Sequence, residues 1–167
     1  MGGGVKVERK IKDSIVYRSE PISIELDADP EDQIHMLRDA LDVATDRGTD
    51  QILDAGAVGR IPCCSNCGGF KLVKPSRAAH RSRRVRLQNP LETAAKKRGT
   101  CADLCIYNAA LKNAKHALGK TQSTAAVELL PDELGPGFHH AIVISSCGKV
   151  SDPGAPPRAD GKCPICS

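Results

Sequence analysis

Apolar and polar residues alternate strictly at Ile22, Ile24 and Leu26, a period of two that predicts a strand. Val5, Val7, Ile11, Ile15 and Val16 predict a shorter strand ahead of it, with Glu20-Pro21 as the break. The pattern then changes to a helical one. Asp29 is a candidate N-cap with Pro30 at the first helical position, and Ile34, Leu37, Leu41 and Val43 or Ala44 form one stripe. Gly48 is the expected end of this helix, with a further helical turn over Gln51 to Ala57. His35 and Met36 within it read as surface and core. Asn89-Pro90-Leu91-Glu92 opens a short helix, and Thr100 with Asp103 three residues later makes a capping-box signal for a second. From there Leu104, Tyr107, Leu111, Ala114 and Leu118 recur at helical spacing until Gly119 stops the run. A polar link over Thr121–Thr124 leads to the apolar segment Ala125–Leu130, and Pro131 to Gly137 reads as a loop. Phe138 to Ile144 predicts a strand, Ser145 to Lys149 a turn, and Val150-Ser151-Asp152 a return strand cut short by Pro153.

Composition limits what these elements can build. The chain of 167 residues suits one domain, or one domain with an appendage: strands and a helix over 1–60 packed on a core over 61–167. Aromatic residues make up only 2% and there is no Trp, so aliphatic residues, Ala and Cys must fill the core. No apolar run approaches the roughly 20 residues that span a bilayer, so no membrane contact is expected. Met1-Gly2-Gly3-Gly4 lacks the apolar stretch of a secretory signal, and Lys6 stands where a myristoylation signal wants Ser or Thr. The expected location is cytoplasmic, or within a particle assembled inside a cell.

Charge is local. Lys71, Lys74, Arg77, Arg81, Arg83, Arg84 and Arg86 form one basic run, and Lys96, Lys97 and Arg98 follow it. Removing these ten cations from the net charge of +4 leaves the rest of the chain at −6. The run from Lys71 to Arg86 contains Pro75 and Ser76 and no interleaved aromatics, which favours a solvated loop over nucleic-acid contact. An acidic protein surface is an equal alternative to nucleic acid as its partner.

Eight cysteines without an export signal favour metal binding or catalysis over disulfides. Ile61-Pro62-Cys63-Cys64-Ser65-Asn66-Cys67-Gly68-Gly69 has the form of a zinc knuckle: two thiolates two residues apart, then glycines that let backbone N–H groups turn toward sulfur. Cys163-Pro164-Ile165-Cys166 supplies a second pair, about 96 residues further on. Cys64, Cys67, Cys163 and Cys166 together suit tetrahedral zinc in a structural role. Cys63 could replace Cys64, but the spacing favours Cys64. Free thiols or a redox pair are the alternative.

The capping box puts Cys101 at the first position of the long helix, beside unpaired N–H groups and the positive end of the helix dipole. That position is expected to acidify a thiol, although a buried cysteine that merely packs fits the same pattern. A strand-borne histidine and an aspartate follow in order, which gives a nucleophile, a base and an orienter. Leu91-Glu92-Thr93, Arg98-Gly99-Thr100-Cys101-Ala102-Asp103-Leu104, His140-Ala141-Ile142-Val143 and Val150-Ser151-Asp152-Pro153 resemble the transglutaminase-like branch of the papain-like cysteine enzymes. The resemblance covers about residues 90–153. It implies an α+β papain-like fold, with a central helix on an antiparallel sheet, and Cys101 as nucleophile, His140 as base and Asp152 as orienter. His139 is the fallback base, since strand alternation turns it to the opposite face. Ile142 stands where that family has an aromatic, and the interval from His to Asp is tight.

The implied activity is cysteine-dependent acyl chemistry on a protein or peptide amide through a thioester, with hydrolysis, as in a thiol protease, favoured and acyl transfer to an amine as the alternative. Two other readings compete. Cys101-Ala102-Asp103 with Cys163 and Cys166 looks like a shifted cytidine-deaminase zinc signature. Against it, Asp103 is one methylene short of the Glu required and Lys162 replaces a Pro. Only Ser167 follows the second cysteine pair, where that fold would place a helix. The third reading is a non-enzymatic, zinc-stabilised interaction module.

Overall fold

The computed structural model describes residues 21–26, 29–74, 84–131 and 139–153. The elements are β1 (Ile22–Glu25), α1 (Pro30–Asp54), β2 (Lys71–Leu72), β3 (Arg84–Leu87), α2 (Pro90–Lys96), β4 (Arg98–Gly99), α3 (Cys101–Ala117), β5 (Ala125–Pro131), β6 (His139–Ser145) and β7 (Val150–Ser151). The fold is mixed α+β. β1 pairs antiparallel with β3, β2 pairs parallel with β4, and β5-β6-β7 form an antiparallel sheet.

α3 is the element on which the rest is packed. Its residues from Asp103 to Leu111 are all buried, as is Ala114, because α1 and α2 cover it on one side and β5 and β6 on the other. Leu41 and Ala44 of α1, Ile106 and Ala109 of α3, and Val127 and Val143 of the sheet share one apolar cluster. A second cluster joins Ile52 and Ala57 to Tyr107, Leu111 and Ala114. One side-chain clamp fixes the helix to the sheet: Asn113 accepts from the Ala125 N–H at 2.7 Å and donates to the Ala125 carbonyl at 2.9 Å.

The caps match the sequence signals. Asp29, Asn89 and Thr100 are N-caps, and Gly119 turns the chain beyond α3 with φ +72°. Gly48 does not end α1, which runs six residues further to Asp54. A Cβ on Gly48 would lie 2.6 Å from Pro90 Cγ and 3.2 Å from the Ala110 methyl. The glycine therefore lets three helices approach each other, a packing requirement that sequence alone reads as a stop. The basic run is not all loop either, since Arg84–Leu87 is a strand laid against β1. The expected strand before Glu20 and the loop over 132–137 lie outside the described residues, as do Phe138, Cys163 and Cys166.

Candidate functional site

Cys101 occupies the first position of α3, and Asp103 holds that end of the helix in place. The capping box is complete: Thr100 Oγ1 accepts from the Asp103 N–H at 3.3 Å, and Asp103 Oδ2 accepts from the Thr100 N–H at 3.1 Å. The same carboxylate also accepts from the Gln88 backbone N–H at 2.9 Å and from Gln88 Nε2 at 2.8 Å. Gly99 is required by this arrangement, because a Cβ there would stand 2.6 Å from Asp103 Cβ. The carboxylate is buried and its oxygens are committed to these donors, which is a structural task and not the general acid–base task of a deaminase glutamate.

The Cys101 sulfur is partly buried against the main apolar cluster. Burial pushes its thiol up, and this outweighs the N–H groups of Ala141 and Ala102 that hydrogen-bond the sulfur. The expected acidification by the helix terminus is therefore corrected: Cys101 rests as a thiol. One turn on, Cys105 is buried and is pushed up further for the same first reason.

The bond from Ala141 brings the start of β6 against Cys101. His140 precedes that alanine, and its Nε2 lies 2.9 Å from Asp152 Oδ2. The hairpin register explains this contact. Val143 pairs with Ser151 and Ile144 with Val150, so continuing the pairing by one residue sets Asp152 beside Ile142. His140 is two positions along on the same face, a diagonal neighbour within reach of a carboxylate. The His140 side chain is about a third exposed and that of Asp152 half-exposed, which screens their attraction. Among the described residues no hydrogen bond joins the Cys101 sulfur to the imidazole.

The knuckle loop lies against another stretch of α3. Sulfurs of Cys63, Cys64 and Cys67 all fall within 4.8 Å of one another and could hold a metal ion. That spacing is of the order needed for sulfurs to share one ion. The Cys67 N–H donates to Cys64 Sγ at 3.2 Å, the amide-to-sulfur bond that stabilises a thiolate. Asn108 of α3 fixes the loop, accepting from the Ser65 N–H at 2.8 Å and donating to Ser65 Oγ at 3.0 Å. Tyr107 donates to the Pro62 carbonyl and packs edge-on against Phe70. Burial, followed by the nearby Cys64 and Cys63, pushes the Tyr107 hydroxyl up, so it stays a donor.

No family model matches the chain, and no curated protein or solved structure is similar to it. The site must be read from its own geometry. The CxxC spacing makes Cys63 a substitute for Cys64, yet all three sulfurs cluster. Sequence reasoning also misses Gln88 and Asn108. A polar Asn at a helical position flanked by buried apolar residues was the available signal for the second, and nothing local marks Gln88. No helix among the described residues is long and apolar enough to cross a membrane.

Proposed function

We propose that the protein carries out cysteine-dependent acyl chemistry on a peptide or protein amide, with Cys101 as nucleophile, His140 as base and Asp152 as orienter. The observation that carries this reading is the 2.9 Å contact between His140 Nε2 and Asp152 Oδ2, one residue from the amide that touches the Cys101 sulfur. With Nε2–H donated to Asp152, Nδ1 is the nitrogen that takes the thiol proton. Sulfur then bonds to the substrate carbonyl carbon, and the amine leaves with the proton returned by His140. Water, activated by the same imidazole, breaks the thioester and releases the acid. The backbone N–H of Cys101, at the helix start, serves as one donor to the developing oxyanion. Because Cys101 rests as a thiol, His140 must act as a general base in the first step. An ion pair formed beforehand is not part of this scheme.

Structural zinc belongs to the same proposal. Cys64 and Cys67 contribute two thiolates, Cys163 and Cys166 complete four, and the ion staples the C-terminal segment to the loop ahead of the catalytic helix. Zinc supplies cross-linking there and takes no part in the acyl steps.

Acylation by a p-nitrophenyl ester, followed by mass spectrometry, tests this reading. A Cys101 adduct is expected, forming about 100-fold more slowly in His140→Ala and more slowly in Asp152→Asn. Cys101→Ser is expected to abolish the adduct and leave bound metal unchanged. Loss of metal in Cys101→Ser would instead support the deaminase-like reading. Adducts indifferent to His140 would leave only an interaction module.

A further inference from the structure

We infer that the paired strands β2 and β4 form a docking edge for an acidic peptide segment, running toward Cys101. Lys71 and Arg98 are register partners in this parallel pair, and both are exposed. Like charges side by side on neighbouring strands repel, so the pairing costs stability unless an anion lies across it. Among the described residues none of Lys71, Lys74, Lys97 and Arg98 has an ion-pair partner, whereas Glu92 already engages Arg86 and Lys96. Leu72 and Val73 add apolar surface between these cations, each 39% exposed.

The shape favours a peptide over a nucleic acid. Among the described residues this sheet has two strands, and the Arg98 carbonyl on the outer side of β4 already accepts from Gln88 Nε2 at 3.4 Å, so the β2 side is the edge that takes an extended chain by backbone hydrogen bonds. Sites for single-stranded nucleic acid commonly add exposed aromatic faces for stacking to their basic groove. The aromatics among the described residues are Phe70, packed edge-on against Tyr107, and Tyr107 itself, which is fully buried. The strands also point at the reacting group. Val73 N–H donates to the Gly99 carbonyl at 2.8 Å, and Cys101 is two residues beyond. Only this last step, that the docked segment presents its amide to Cys101, rests on the acyl-transfer reading.

Binding is measured on full-length Cys101→Ser protein, so failure of catalysis cannot mask it. The probes are fluorescein-labelled peptides alternating Glu with Ala, or Lys with Ala, and an oligothymidylate of equal length. The Glu peptide is expected to bind best and to weaken as salt is raised. It is also expected to lose about tenfold in affinity when Lys71→Ser and Arg98→Ser are combined. The charge-conserving pair Lys71→Arg and Arg98→Lys is expected to keep binding, which separates charge from folding. Preferential binding of oligothymidylate, or Glu-peptide binding unchanged by the double serine variant, would overturn the inference. So would equal binding of all three probes, or binding of none.

Discussion

Gln88 grips both oxygens of the Asp103 carboxylate, with its backbone N–H on Oδ1 at 2.9 Å and its side-chain amide on Oδ2 at 2.8 Å. A charge is thus buried at the start of α3 and satisfied by neutral donors, with the capping N–H of Thr100 as the third. Asp103→Asn keeps the shape but replaces one carboxylate oxygen by an amide NH2, which meets the donor-only backbone N–H of Thr100. It is expected to cost about 3 kcal/mol in urea unfolding. Thr100→Ala removes one reciprocal cap and is expected to cost about 1 kcal/mol. If Asp103 mattered only as a metal-site acid, Asp103→Asn would keep wild-type stability.

The described cysteines divide by environment. Cys147 is exposed in the β6–β7 turn; its thiol is pulled down first by the Ser145 hydroxyl at 3.2 Å and then by the Lys149 backbone. Burial pushes Cys101 and Cys105 the other way. Simple alkylation with iodoacetamide near neutral pH is therefore expected at Cys147 before Cys101, with Cys101 gaining as pH rises. Peptide mapping across a pH series checks the order. Equal rates at Cys101 and Cys147 at neutral pH would contradict the burial-driven shift. This order differs from that with an acyl donor, where His140 supplies the base and Cys101 should react first.

Much of the frame was legible because it rests on local chemistry. N-caps at Asp29, Asn89 and Thr100 depend on residues within a turn of each other, and so does the hairpin that brings Asp152 to His140. What escaped depends on approach between distant segments. Gly48 resembles a helix stop until Pro90 and Ala110 are seen against it, and Gly99 owes its place to Asp103. β2 and β4 are two residues each and have no periodicity to detect. The upward shift of the Cys101 thiol is not legible in sequence, because helix position is visible there and burial is not.

Cys63, Cys64 and Cys67 make separable claims on a metal. Zinc released by a mercurial and read with a chromogenic chelator should fall sharply in Cys67→Ser and Cys64→Ser, with lower thermal stability. Cys163→Ser and Cys166→Ser should do the same if the C-terminal pair completes the site. Retention of zinc in Cys63→Ser would make Cys64 the ligand, as the spacing expects. Retention in Cys64→Ser, with loss in Cys63→Ser, would reverse that assignment. Zinc bound at full stoichiometry in Cys67→Ser would remove the knuckle from the proposal altogether.

Glu92 holds α2 to β3 through Arg86 at 2.8 Å and closes an i,i+4 bridge with Lys96 at 2.6 Å. Burial alone would raise its carboxyl, but the hydrogen bonds from Lys96 and Arg86 prevail and the net shift is downward. A carboxyl depressed in the folded state stabilises above its unfolded value and loses that contribution as pH falls through the folded value. Both cations are about half-exposed, so solvent limits the gain. Glu92→Gln is expected to lose roughly 1 kcal/mol at pH 7, and the gap between variant and wild type should close as the solution is acidified below about pH 4. Urea midpoints across that range measure it. A gap that stayed constant with pH would mean that Glu92 contributes through packing alone and that its charge is idle.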